Sequence, residues 1–297
     1  MRVVLTRNTG ATDYWRFPWV RFPDKFVLGI REYTQEPLEG RKYPAIMLTP
    51  GAETQVYFPL EDEPGISETF GGISDASAAL DFANRFGELG LSGVIRYQAR
   101  YNSIPQAVPY GEEIRDWLFE AGKLHRFYCV WNALRDENHS ELRRIIQWEH
   151  SRKYGLVVTA VFPEAKTAIA NAGKNTQWLR SWSRGDVVGP AKLYLADQFN
   201  ENMYAMASPM LLLDFKGLLR PYNSTASLLG ALWLEVGQLA SGVRKQLPCE
   251  SCGKVMDVTG LRSDKRKHDK CVLREKMARY RSAKRETENG KTKTRKR

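Results

Sequence analysis

At 297 residues the chain is long enough for a sizeable core plus one or two smaller units. Its 42% hydrophobic and 27% charged content is ordinary for a globular protein and excludes a disordered or fibrous one. The net charge of +11 points to a polyanionic partner, and it is unevenly spread. From Ser241 onward 19 Lys and Arg face 7 Asp and Glu, leaving 26 against 27 in everything before. A near-neutral body with a strongly basic end reads as a polyanion-binding module joined to something else; the plainer alternative is a solubilising tail.

The opening MRVVLTRNTGATDYW turns polar too early for a secretory leader. RVVLT, KFVLGIREYT, PAIMLTP and ETQVYFPL are short apolar or alternating runs between Pro, Gly and acidic turns, so the first sixty-odd residues read as β-rich. Trp15, Phe17, Trp19, Phe22 and Phe26 would form or cover a small sheet. SDASAALDFANRFGELG places Ala79, Phe82, Ala83 and Phe86 on one helical face, with Ser74 or Asp75 as cap and Gly87 or Gly90 as terminator. Asp81 and Asn84 beside that stripe either line a ligand pocket or serve as capping and surface residues.

YGEEIRDWLFEAG repeats the pattern through Ile114, Trp117, Leu118 and Ala121 and should stop at Gly122. Further helices are expected over 125–134 and 140–154. GLVVTAVF fits a buried strand or a helix segment equally. Pro190 should open a helix in GPAKLYLADQFNENMYAM, and PMLLLDFKGLLRPYN offers one or two strands. STASLLGALWLEVGQLASG is apolar on more than one face through Leu228, Leu229, Leu232, Trp233, Val236 and Leu239, which predicts a central helix. It is too short to span a bilayer and carries Glu235, so a cytoplasmic protein with no membrane partner is expected.

No phosphate loop, HExxH or GxSxG occurs before residue 241. His125, His139 and His150 are isolated among helical neighbours and read as structural. Cys129, among aromatics in RFYCVW, reads as a buried thiol. No catalytic residue and no enzyme activity is expected.

The informative stretch is CESCGKVMDVTGLRSDKRKHDKCVLREKMARYRSAKR, which holds three of the four cysteines. Cys249 and Cys252 form a knuckle with Gly253 permitting the tight turn, and His268 and Cys271 form a second close pair. Two such pairs suit a closed tetrahedral site for one structural Zn2+. The polar segment between them has no core of its own, so metal binding would supply its folding energy. Beyond Cys271 a basic helix is expected. Leu273, Met277 and Tyr280 would pack on the knuckle or the body, while Arg274, Ala278, Arg281 and Arg285 line a neighbouring face. Arg274, Lys276, Arg279, Arg281, Lys284 and Arg285 are the candidate nucleic-acid contacts.

CVLREKMARYR resembles the end of the bacterial CGNR-type zinc fingers, which finish in Cys-Gly-Asn-Arg followed by Lys, Arg and an Arg-Tyr-Arg cluster. Cys271, Arg274, Lys276, Arg279, Tyr280 and Arg281 match; Val272 and Leu273 replace the Gly-Asn, and His268 replaces a cysteine. LDFANRF, IRDWLFEAG and the Leu-rich helix are similar to landmarks of the α-rich domain that family members carry, proposed to belong to stress-linked transcription regulators. The resemblance implies a bacterial, nucleoid-associated, zinc-dependent DNA-binding regulator.

The expected fold is α+β: a β-rich N-terminal part and helix-rich body over 1–242, a zinc-ribbon-like finger with its basic helix over 245–286, and a disordered basic tail over 287–297. RNA is the alternative polymer. An enzyme or partner-binding body merely localised by the basic finger is the alternative function. A homodimer stays open, and the sequence names no small-molecule effector.

Overall fold

A computed structural model describes residues 19–21, 26–32, 42–49, 55–57, 59–91, 111–204, 207–213, 219–225, 227–261 and 265–294. For 207–213, 219–224, 283–294 and a few positions in the first strands, the backbone alone is described. The chain divides into two units, Met1–Ala240 and Ser241–Arg297.

The architecture is α+β, built from small antiparallel sheets among helices. The N-terminal strands are β1 (Trp19–Arg21), β2 (Phe26–Glu32), β3 (Lys42–Leu48) and β4 (Gln55–Tyr57). β1 pairs with β4, and β3 lies between β2 and the short β5 (Glu112–Glu113). The β-rich start is therefore present, while RVVLT, Trp15, Phe17 and Phe22 fall outside the described residues. ETQVYFPL divides at Pro59, which opens α1 (Pro59–Asp62), followed by α2 (Ile66–Gly71).

α3 (Ala76–Phe86) forms as its pattern requires. The Asp75 carboxylate accepts from the Ala78 N–H at 2.9 Å, and Gly87 ends the helix at φ 96. Ala79, Phe82, Ala83 and Phe86 are its buried face; each phenylalanine so buried stabilises the fold by about 1.5–3 kcal/mol. Asn84 turns out to be a fastener, not a ligand: its Oδ1 accepts from Phe26 N at 2.8 Å and pins β2 to the helix. Asp81 is exposed.

Two boundaries differ from expectation. α4 (Ile114–Arg135) runs straight through Gly122, fusing two expected helices. An interior glycine costs only about 1 kcal/mol, and the face of Trp117, Ala121, Leu124, Phe127 and Tyr128 is buried on both sides of it. In the stretch from 140 to 154, α5 (His139–Ile145) stops early and Ile146–Ser151 becomes β6. Gly155, at φ 65, turns the chain so that β6 pairs with β7 (Gly155–Phe162), which settles GLVVTAVF as a strand. β8 (Ala165–Ala170) completes a meander, with a bulge at Val158/Thr159.

After α6 (Thr176–Ser181), α7 (Val188–Met203) starts just before Pro190, where a proline needs no intrahelical donor. β9 (Ala207–Leu213) and β10 (Leu219–Thr225) form a hairpin. α8 (Leu228–Ala240) is central: Leu228, Leu229, Leu232, Trp233, Val236 and Leu239 are all buried, and it packs against α1, α2 and α7. Phe127 meets Trp233 edge-on at 5.8 Å, and Phe70, Phe82 and Trp117 form a second ring cluster with centroids 5.1–6.0 Å apart.

Glu235, the acid inside this apolar helix, has a structural task. Its carboxylate accepts from Gly65 N and Ser67 N at 2.9 Å each and from Ser67 Oγ at 2.5 Å, satisfying the start of α2. Tyr128 shares the Ser67 hydroxyl at 2.7 Å. Glu112 works similarly, accepting from Leu89 N, Leu91 N and Trp117 Nε1 at 2.9, 2.6 and 3.0 Å. Burial, together with that neighbouring carboxylate, pushes Glu88 up to about 9.

His125, His139 and His150 are exposed. Cys129 is half-buried, not enclosed, with Sγ 3.6 Å from His125 Nε2. Burial and the nearby Glu141 and Glu164 push its thiol up, away from the reactive thiolate. No helix among the described residues is long and apolar enough to cross a membrane.

Candidate metal centre

The second unit opens with a hairpin, β11 (Gln246–Pro248) and β12 (Val255–Asp257), whose turn carries Cys249 and Cys252. Gly253, at φ 71, donates its N–H to Cys249 O at 2.8 Å, and Cys249 N reaches Lys254 O at 2.9 Å. This tight loop points both thiols to one side. Arg244, nearly buried, closes the strand ends through Asp257 at 2.7 Å; the sequence reading missed this pair.

The other two donors stand at the head of α9 (Asp269–Thr294), His268 just before it and Cys271 in its first turn. The N–H groups of Cys271 and Val272 both turn back to His268 O, at 2.9 and 3.0 Å. Glu250 N donates to Arg266 O at 3.0 Å, fastening the approach to the helix against the knuckle. The finger and the basic helix, expected together over 245–286, are joined at Cys271, because the first turn of the helix supplies a ligand.

Cys249, Cys252, His268 and Cys271 thus converge, all four donor atoms lying within 4.8 Å of one another. Cys252 Sγ is 3.5 Å from His268 Nδ1. Tetrahedral coordination with metal–sulfur and metal–nitrogen bonds of about 2.3 and 2.0 Å requires about 3.5 Å between those atoms. The four residues are therefore placed to hold one metal ion, with Nδ1 as the imidazole ligand.

Electrostatics prepare the site. Burial alone would raise the Cys249 thiol, but backbone N–H groups of His268, Ser251 and Cys252 outweigh it and bring the thiol down to about 6. Cys271 is pushed up by burial and by the neighbouring Cys252 and Cys249, as expected where several thiols share a small volume. A cation removes that conflict. The apolar packing around the site is slight: Cys249, Met256 and Cys271, with Val258 partly buried against them.

Arg274, Lys276, Arg279 and Arg281 are exposed along α9. Lys284 and Arg285 fall within the helix, with side chains outside the described residues. Glu275 faces inward and pairs with Lys267 at 2.9 Å, which lowers the carboxyl and raises the amine. Leu273, Met277 and Tyr280, expected to pack on the knuckle or the body, are 61%, 50% and 67% exposed and do not pack on the knuckle. The reason is angular: Cys271 and Glu275 tie the helix down, and residues two positions further on point about 200° away. α9 itself extends to Thr294.

Set against protein-family models, curated proteins and solved structures, the chain matches none of them.

Proposed function

We propose that this chain is a zinc-dependent DNA-binding protein and, in line with its resemblance to the CGNR-type fingers, a bacterial transcription regulator. The observation that carries the reading is the junction at Cys271, where a Cys3His cluster sits at the head of an exposed, arginine-rich helix. Three sulfurs and one imidazole within 4.8 Å of one another suit Zn2+ better than oxygen-seeking cations. Cys249, Cys252, His268 and Cys271 would fill all four positions, so the ion supplies folding energy and no catalytic site. Arg274, Lys276, Arg279 and Arg281 would neutralise phosphates, and the positive end of the chain would attract the polymer from a distance. The body, with its own core, would serve sensing or assembly.

The direct test is a competition between duplex DNA and structured RNA of equal length for the full chain, before and after chelation. Preference for the DNA duplex, lost on chelation and restored by Zn2+, is the expected result. Binding that survives complete metal removal, or none at all, would refute the reading.

A further inference from the structure

Leu273, Met277 and Tyr280 are the large apolar side chains exposed on α9 among the described residues, and nothing in the zinc site explains them. At about 100° per residue they share one face. Cys271 and Glu275, which fasten the helix to the knuckle, occupy the opposite face. The finger therefore grips the back of α9 and presents its front. Both margins of that front are cationic: Lys270, Arg274 and Arg281 lie roughly 50–90° to one side and Lys276 roughly 70° to the other, all of them exposed.

An apolar strip of this size fits few surfaces. From Leu273 to Tyr280 it is two turns, roughly 10 Å, and the next position along it is Lys284. A helix lying in a bilayer interface buries an apolar face along most of its length, which this one lacks. Pairing with a second copy of α9 would bring Arg274, Lys276 and Arg281 against their own like charges. The major groove of B-DNA, about 12 Å wide, accepts one helix about 10–12 Å across. Phosphates wall it on both sides, and its floor offers thymine methyl groups to apolar side chains. A-form RNA has a major groove too narrow and deep for such entry.

We infer that the Leu273–Met277–Tyr280 face of α9 enters the major groove of duplex DNA. The apolar side chains lie against base edges, with Arg274 and Arg281 on one phosphate wall and Lys276 on the other. This rests on the nucleic-acid reading above and deepens it: the stripe discriminates duplex DNA from RNA and thymine-rich sites from others, while the cations supply affinity.

The experiment titrates the full zinc-loaded chain against four probes. They are a mixed-sequence DNA duplex of about 20 base pairs, two helical turns; the same duplex with deoxyuridine for every thymidine; the matching RNA duplex; and phosphatidylserine–phosphatidylcholine vesicles. Loss of a buried methyl weakens an apolar contact about fourfold, so the thymine duplex should bind at least severalfold more tightly than the uracil one, and the RNA duplex weakest. The triple variant Leu273→Ser, Met277→Ser, Tyr280→Ser should bind both DNA duplexes equally, with metal content and salt dependence kept. Met277→Leu, which preserves the apolar contact, should retain the preference. Equal binding of the two DNA duplexes by the unaltered chain overturns this inference alone, as does a triple variant that keeps the preference. Vesicle binding abolished by the triple variant, with duplex affinity unchanged, assigns the face to lipid and overturns it too. Failure to bind any nucleic acid removes the underlying reading with it.

Discussion

Residues 1–240 bury Trp117, Trp233, Phe70, Phe86, Phe127 and many aliphatic side chains in one apolar cluster, whereas residues 241–297 bury Cys249, Met256 and Cys271. The first inventory is that of an ordinary hydrophobic core. The second amounts to a few kcal/mol at about 1.5–3 kcal/mol per large side chain. Ordering the segment from Gln246 to Cys271 costs about 1–2 kcal/mol for each backbone fixed, far more than that cluster returns. A structural zinc site contributes apparent binding energy of about 10–16 kcal/mol, which is the right size to close the gap. On the zinc reading proposed above, the two units stand by different physics, so each should be separately breakable.

The largest effect should come from the metal. Cys252→Ser leaves three donors, and we expect the second unit to lose most of its zinc and its helical order while the first unit melts as before. Elemental analysis with a thermal melt followed by far-UV circular dichroism reads both. A loss of the body's cooperative transition would show that the two units share one core.

The converse change acts on the body. Glu235→Ala would orphan the buried Gly65 and Ser67 N–H groups, while the Ser67 hydroxyl keeps Tyr128 as its partner. At about 1–3 kcal/mol per unsatisfied group, urea denaturation should show a loss of about 2 kcal/mol or more. Zinc content should not change, and a fall in zinc would break the comparison.

Acidity should also separate the units. The folded Glu88 carboxyl titrates at about 9 against an ordinary 4.5, so the native state keeps a proton that the unfolded chain has released. Its contribution is complete below about 4.5 and is lost as pH rises toward 9, at up to about 1.4 kcal/mol per pH unit. Glu88→Gln should flatten the decline of body stability across that window. An identical pH profile in the variant would mean that Glu88 is ionised in the fold.

Binding and stability should part along α9. Arg274→Ala with Arg281→Ala should flatten the log–log salt dependence of duplex binding by about 2, at about 0.9 for each phosphate released, with zinc and melting unchanged. The smallest effect belongs to Met277→Ala. Because that side chain is 50% exposed, stability should move by no more than about 0.5 kcal/mol. A larger loss would mean that the stripe is packed after all.

Legibility followed the range of the forces involved. Short-range patterns were readable: Asp75 and Gly87 bracket α3, the paired ligands Cys249/Cys252 and His268/Cys271 stand out by spacing, and Leu228 to Leu239 mark a central helix. Gly122 looked like a stop and was carried through the helix by buried neighbours on both sides. Ile146–Ser151 looked helical and was captured by pairing with β7, a partner that local periodicity does not register. Asn84 and Glu235 were visible as polar residues on apolar stripes, but their partners, Phe26 and the start of α2, lie far away in sequence.

The sequence by itself determined the charge division at Ser241, the four convergent donors and the basic helix that follows them, because each is a matter of residue type at short spacing. Tertiary structure decided that the helix's first turn is part of the metal site, that Nδ1 of His268 faces Cys252, and that Leu273, Met277 and Tyr280 face outward. An amphipathic stripe fixes which residues share a face. Which way that face points is set by where the helix is anchored, and here the anchor at Cys271 turns it away from the finger.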